Sequence, residues 1–482
     1  MGAIRSRSPV AGLRRAQLSF AEVLGQSVAA VAPSAVMVTL PALVMPAAGV
    51  ATVPVFVITT VLFLAVGYCV SQYATRMIAV SGLYSYTAKG LGPVAGIGAG
   101  WSVVIGYAAA AMASTVGAAA YLTSLLHRVG LPGGPPTIAA LAVVVGCVAL
   151  ALMVRGIQLS ARISLTIEVF AVTAAAVVLT VVALRPDVPT TTVSDASAHG
   201  PPGALGFALL LATTSFVGFE SATTVAREAR RPFTSVSRAV RWTPLALGVL
   251  YVFAAVAQSG TSGVTSPSTS PIVLSLPSSD GTMTTVLSIL LELGITASWF
   301  ACVIGSGTAL SRTLFAMGRE GVLPSRMGYT HPRFRTPVSA LLVAMPVVTL
   351  IPVVYLFVVD SARLTLIGLL AVSAHGYICA YVLVCASTPR FLRRIGEPGR
   401  LPTVIGISTA TALIVIVVWA ALTIDAPVWI ATATFGALIA CGYLLYVIRA
   451  QRHPGLADRV GVFDETTADQ VVNDYDPWQV RR

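Results

Sequence analysis

Apolar runs of about twenty residues follow one another almost from end to end of this 482-residue chain. The hydrocarbon core of a bilayer is roughly 30 Å thick, and a helix crosses it with about 20 apolar residues. The pattern therefore dictates an all-α integral membrane protein. Composition agrees: 56% of the residues are apolar and only 10% are charged, with a mean hydropathy of +0.86, outside the range of a soluble globular chain. Windows of about 19 residues predict twelve transmembrane helices, near residues 24–46, 52–74, 93–125, 136–154, 161–184, 204–227, 240–260, 285–317, 337–359, 364–387, 403–424 and 427–449. The third and eighth are long enough to be strongly tilted. The first apolar segment is far longer than a signal-peptide core, so it is expected to stay in the mature protein.

Charge sets the orientation. Of the 30 Lys and Arg residues, 27 fall on the N-terminus, the even-to-odd connections and the C-terminal tail. Only Arg128, Arg185 and Arg363 fall on the other side. The asymmetry predicts that both termini are cytoplasmic and that the protein sits in the cell membrane. The net charge of +12 is then a topology signal, accounted for by contact with anionic lipid, and no nucleic-acid partner is implied. Residues 1–23 read as a basic cytoplasmic segment, 24–449 as the membrane domain and 450–482 as a solvated, acid-containing tail. Segments 186–203 and 259–281, rich in Pro, Ser, Thr and Gly, read as exterior loops.

Catalytic chemistry finds no foothold. All six cysteines lie in apolar runs and read as small buried residues. The five histidines have no metal-ligand spacing, so no metal site is expected. His375 reads as a buried, hydrogen-bonded histidine. No phosphate-binding loop or nucleophile motif is present, so neither a cofactor nor an enzyme activity is expected.

Within hydrocarbon a helix can break only where protein or a cavity satisfies its backbone, so breaks point to sites. The first span carries one in VAAVAPSAVMVT (28–39), where Pro33 removes an amide and disfavours helix at Ala32. The sixth carries another in TTSFVGFES (213–221), around Gly218. These spans head two five-span halves, about 24–184 and 204–387, with 403–449 as two extra helices. Five is odd, so the halves have opposite topology, the inverted-repeat arrangement of many secondary transporters. Amides opening one half-helix can hold an anionic group, and carbonyls closing the other a cationic one. A zwitterionic amino acid has both.

Four motifs carry a family resemblance. GFESATTVAREARRP (218–232), GQSVAAVAPS (25–34), SGLYSYTAKGLGPVAGIGAGW (81–101) and ALSRTLFAMGREGVLPSRMGYTHPRFRTP (309–337) together resemble the amino acid-polyamine-organocation (APC) superfamily of permeases. The likeness covers spans one to ten in order. It implies the leucine-transporter-like fold, with a 5+5 inverted repeat plus two C-terminal helices, working by alternating access. It further implies a substrate carboxylate held at Ser34, Ala35 and Val36, and a substrate amino group held by carbonyls of Thr214, Ser215, Phe216 and Val217. Two departures stand out: Pro33-Ser34-Ala35 replaces the family's Gly-Ser-Gly, and Arg227 stands where a second Glu is common.

Three carboxylates lie inside spans, where a charge costs roughly 2.5–3.5 kcal/mol on insertion scales; each needs a partner, water or a proton. Glu168 shares a helix stripe with Ser160 and Ser164, and reads either as the coupling group or as a hydrogen-bonded structural carboxyl. Glu220 follows the sixth-span break and reads either as a gate or as a cap on freed amides. Glu292 reads as snorkelling to water at the outer end of its span. Phe216, Phe219, Trp101 and Tyr107 are candidate walls or gates, and otherwise packing. Ser306 and Thr308 could line a substrate or sodium site, or serve packing. Arg312, Arg319 and Glu320 read as an inner salt-bridge gate or a headgroup anchor. The expected activity is secondary active transport of an amino acid or related amine, by proton-coupled symport or by exchange, with a proton or a sodium ion as co-substrate. The rivals are a polyamine or organic-cation carrier, which needs acidic groups in the pocket, and a transporter-like receptor or sensor.

Overall fold

A computed structural model of the chain describes residues 12–184, 204–259, 281–422, 426–462 and 464. The first eleven residues, the expected loop at 186–203, all but the two end residues of the expected loop at 259–281, and the tail beyond 464 lie outside the described residues; Ser259 and Gly281 themselves are helical. Apart from isolated bridge residues such as the Leu18–Ala229 pair, the regular structure described is helical.

Eleven stretches among the described residues are long and apolar enough to cross a membrane, against twelve predicted. The difference lies at Phe20–Ala74, a single stretch of 55 residues, more than twice what one crossing takes. It turns at the short segment Gly49–Ala51 and contains both predicted spans 1 and 2. Span 1 is itself two helices, Phe20–Ala29 and Pro33–Ala48, and span 2 is Thr52–Ala74. Spans 3, 4 and 5 are Pro93–Arg128, Pro135–Arg155 and Ile157–Ala183. Span 6 begins as Ala204–Thr214 and continues as the 3-10 helix Phe219–Glu228. Spans 7 to 12 are Pro232–Ser259, Gly281–Glu320, Val338–Val359, Ala362–Arg394, Arg400–Leu422 and Ala426–Arg452. Span 7 starts well before residue 240 because Arg238 and Arg241 lower the hydropathy of its basic first turns without unwinding them.

Local chemistry fixes where spans begin. Ser19 caps span 1 in a reciprocal box: its hydroxyl accepts from the Glu22 amide, and the Glu22 carboxylate accepts from the Ser19 amide at 2.7 Å. Glu22 also pairs with Arg162 at 2.5 Å, fastening span 1 to span 5. Pro93 and Pro135 open spans 3 and 4, where a missing amide costs nothing.

Spans five apart in the chain are neighbours: 1 with 6, 2 with 7, 3 with 8 and 4 with 9. Spans 1, 2, 6 and 7 pack together as one group, and 3, 4, 8 and 9 as another. Span 5 lies against spans 1 and 8, and span 10 against span 3. Spans 11 and 12 pack on the outside, chiefly against span 10, and expose Ile407, Val418 and Leu444, as a lipid-facing helix does. Here the expectation for the cysteines needs correction. Cys147 and Cys441 are exposed and Cys379 is half-buried, because an apolar thiol is as compatible with lipid as with the core.

Candidate functional site

The two breaks meet. Span 1 is interrupted by Ala32, which takes a left-handed conformation with φ +55°, a strained geometry for a residue with a Cβ. Span 6 is interrupted at Gly218, φ +99°, where no side chain could fit: a Cβ there would stand 2.6 Å from the Ala30 carbonyl oxygen. From the other side Gly305 of span 8 presses on the same residue, since a Cβ on it would meet the Ala30 nitrogen at 2.6 Å. Ala30 is thus held between two glycines.

Side chains across the breaks complete the junction. The Ser27 hydroxyl donates to the Phe219 carbonyl, and the Ser221 hydroxyl donates to the Gln26 carbonyl at 3.0 Å. Gln26 donates to the Gly305 carbonyl at 2.8 Å, and the Cys302 thiol donates to the Ala30 carbonyl at 3.2 Å. The half-helices are therefore tied to each other and to span 8.

Each break has its own buried carboxylate. At the start of Pro33–Ala48, the Ala35 amide donates to the Ser298 hydroxyl at 3.4 Å, and that hydroxyl donates to Glu168 at 2.8 and 3.0 Å. Ser34 donates to the Gly294 carbonyl at 3.5 Å, while the Val36 amide closes the first turn onto Ala32. Ser160 and Ser164 are buried beside Glu168 on one stripe, as their spacing predicts. Glu168 and Pro33 also lie at the edge of an apolar groove of about 610 Å³ between spans 1, 5 and 7. At the second break, Glu220 accepts from the Tyr107 hydroxyl at 2.7 Å, from Tyr381, and from the Gly218 amide at 3.2 Å. It caps the amide of the break itself, and two tyrosines tie it to spans 3 and 10.

The remaining candidates separate. Ser215 is fully buried with its hydroxyl unpartnered, whereas the Thr214 hydroxyl turns back onto its own helix at Leu211. Phe216 stacks on Phe63 at 4.9 Å and meets Tyr251 edge-on. Phe219 and Tyr381 pack against the same Phe63. Val217 is buried. Ser306 lies 3.6 Å from the Cys302 thiol, one turn along span 8 from the junction. Trp101 does not join this group: its indole packs against Gly442 of span 12. Glu292 does not snorkel. It is buried and pairs with Arg128 at 2.6 Å, because a cation from span 3 reaches it before water does. His375 is hydrogen-bonded as expected, to the Ala371 carbonyl and to Thr432 of span 12.

Sequence reading missed Tyr381, Ser298, Cys302 and Gly305. Only Tyr381 left a signal, as it shares a helix face with Tyr377 one turn earlier in an otherwise apolar run.

The sequence profile of the amino acid permease family matches residues 18–449. The chain belongs to that family. It is a multi-pass membrane protein of the APC superfamily. Among similar proteins, the branched-chain amino acid permease BcaP of Bacillus subtilis is 23% identical over 431 residues, covering 82% of this chain and 84% of its own length. The low-affinity putrescine importer PlaP of Escherichia coli K12 is 26% identical over 303 residues, covering 58% and 62%. The transporter Rv1999c of Mycobacterium tuberculosis is 28% identical over 353 residues, covering 70% and 72%. In three dimensions, a mutant of the manganese transporter of Eremococcus coleocola matches with a TM-score of 0.55 at 13% identity, over 91% of this chain and 98% of that one. The permease thus has the leucine-transporter-like fold.

Charge pairs cluster at the end of the bundle where residues 12–18 and 456–462 lie. Glu228, the Glu of the span 6 motif, is gripped by Arg312 through contacts of 2.8 to 3.0 Å, both groups being buried. The segment before span 1 lies over this pair: the amides of Gln17 and Leu18 donate to the Glu228 carbonyl. Arg312 does form an ion pair, but its acid is Glu228 and not Glu320. Glu320 instead accepts from Tyr84 and from the amides of Gly461 and Val462 at 3.0 and 2.8 Å. Arg227 lies 3.4 Å from Asp464, which also pairs with Arg15 at 2.6 Å. Leu456, residues 460–462 and Asp464 therefore lie against the bundle, because these groups give them partners, whereas residues 451–455 and 457–459 are exposed, as expected of a solvated tail.

Proposed function

We propose that the protein is a secondary active transporter that carries an amino acid or a related amine across the cytoplasmic membrane by alternating access. The observation that carries this reading is the meeting of the two broken spans at Ala30, where one half-helix begins at Pro33 and the other ends at Thr214. That is the geometry a zwitterion needs. The substrate carboxylate is assigned to Ser34, Ala35 and Val36, and its amino group to the carbonyls of Thr214 to Val217, with Ser215, Phe216 and Ser306 at the margins. The kinship with BcaP supports an amino acid as cargo. The excess of Lys and Arg on the terminal side supports a cytoplasmic location for both termini.

Coupling is assigned to a proton carried by Glu168. It stands on span 5, one hydroxyl away from the amides that receive the substrate carboxylate. When neutral it leaves those amides to the substrate; when ionised it repels an anion there. Loading both substrate and proton, or neither, follows from that competition. A second reading, a diamine carrier, draws on Glu220, a buried carboxylate at the break itself, and on the kinship with PlaP.

Purified protein in liposomes tests both. Uptake of a labelled branched-chain amino acid, abolished in Ser34→Leu with expression intact, is the expected result. Unchanged transport in Ser34→Leu removes the carboxylate site, and uptake of putrescine without amino acids selects the diamine reading.

A further inference from the structure

After span 12 the chain makes one helical turn, Leu456–Arg459, with Leu456 buried. It then crosses the end of the bundle. Besides the bonds to Glu320, the Ser85 hydroxyl donates to the Val462 carbonyl at 2.8 Å and the Asp464 amide donates to the Ile78 carbonyl at 2.8 Å. Between the ends of spans 8 and 12 and the turn Leu456–Arg459 lies a cavity of about 350 Å³. Its lining sets Arg449, Arg452 and Arg459, with the imidazole of His453, against the single carboxylate of Glu320.

That carboxylate is already committed to Tyr84 and two tail amides. Among the described residues, Arg449, Arg452 and Arg459 make no ion pair. A bias of arginine toward one membrane face explains their presence but not their convergence on one concavity, where like charges repel. The guanidinium fork matches the oxygens of a phosphate group, and two arginines come from span 12 while the third comes from the turn beyond it.

We propose that this cavity is a binding site for a phosphate-bearing anion, whose occupant ties the end of span 12 to Leu456–Arg459 and thereby fixes the tail over the ends of spans 6 and 8. The site is independent of the transport reading. The phosphate can come from an anionic phospholipid headgroup, since span 12 leaves the membrane here, or from a soluble phosphate compound.

The test uses full-length protein in an uncharged detergent, titrated with inorganic phosphate at constant ionic strength, and in nanodiscs of phosphatidylcholine with or without phosphatidylglycerol. Unfolding temperature and hydrogen exchange of residues 455–462 are read together. The expected result is a rise of about 2 °C or more and slower exchange of that peptide, lost in Arg452→Gln/Arg459→Gln and kept in Arg393→Gln, an exposed arginine outside the cavity. A response to phosphate in detergent assigns a soluble ligand; a response only to phosphatidylglycerol assigns the headgroup. Should the double variant not fold, Arg459→Gln alone, at an exposed position in the last turn, gives the same reading. No response of the wild type to either source, or an equal response in the cavity variants, overturns the site.

Discussion

The two breaks do the same job with different materials. The first is abrupt: three residues, Ala30 to Ala32, the last of them left-handed, separate two α-helices, and its polar support comes from Ser298 of span 8 and Glu168 of span 5. The second is gradual: Gly218 leads into ten residues of 3-10 helix, and its support comes from Tyr107 of span 3 and Tyr381 of span 10. A 3-10 run longer than three or four residues is uncommon and marks a hinge or strain. Here Thr223 and Thr224 donate to the carbonyls three residues back, at 2.7 Å each, and so favour the tighter winding. The first break is built as a fixed kink beside a titratable group, and the second as a compliant segment moored at one end by tyrosines and at the other by Arg312.

Substitutions can separate the two. The largest effect is expected where they touch: Gly305→Val and Gly218→Val each force a side chain onto Ala30. Overpacking of about 2–3 kcal/mol corresponds to a loss of about 100-fold in liposome uptake. If either retains wild-type uptake, the junction is not the working centre. Next, Glu220→Gln should lower uptake at every pH, whereas Glu168→Gln should keep uptake but flatten its dependence on an imposed proton gradient. Identical pH profiles for the two would erase the distinction between a mooring and a coupling carboxylate. Tyr107→Phe removes one hydrogen bond to a carboxylate, worth about 1.5–3 kcal/mol, and should slow uptake about tenfold or more with little change in its pH profile. The smallest effect is expected from Ala32→Gly. Relief of the left-handed strain, about 1 kcal/mol, should raise the unfolding temperature slightly; a fall would mean that the kink needs its methyl group.

How much of this could be read from the sequence follows from where the constraint lies. Lipid dictates span length residue by residue, so the spans stand out, and Pro33 and Gly218 mark the breaks locally. The fold then follows from the motifs that surround them. Partners across the bundle leave no such trace. Ser298, Cys302 and Gly305 are ordinary small residues of a long apolar helix, and only packing brings them to span 1. The same holds for Arg128, which lies far from Glu292 in the chain. Trp101 shows the converse, since an aromatic residue near a motif need not face the motif's site.

The 3-10 winding of Phe219–Glu228 has one more consequence, in length. A 3-10 helix rises about 2.0 Å per residue and an α-helix about 1.5 Å, so rewinding these ten residues would shorten the segment by about 5 Å. With Glu220 moored by Tyr107 and Tyr381, that contraction would draw Glu228 off Arg312 along the helix axis. A change of pitch in span 6 would by itself be enough to separate that pair.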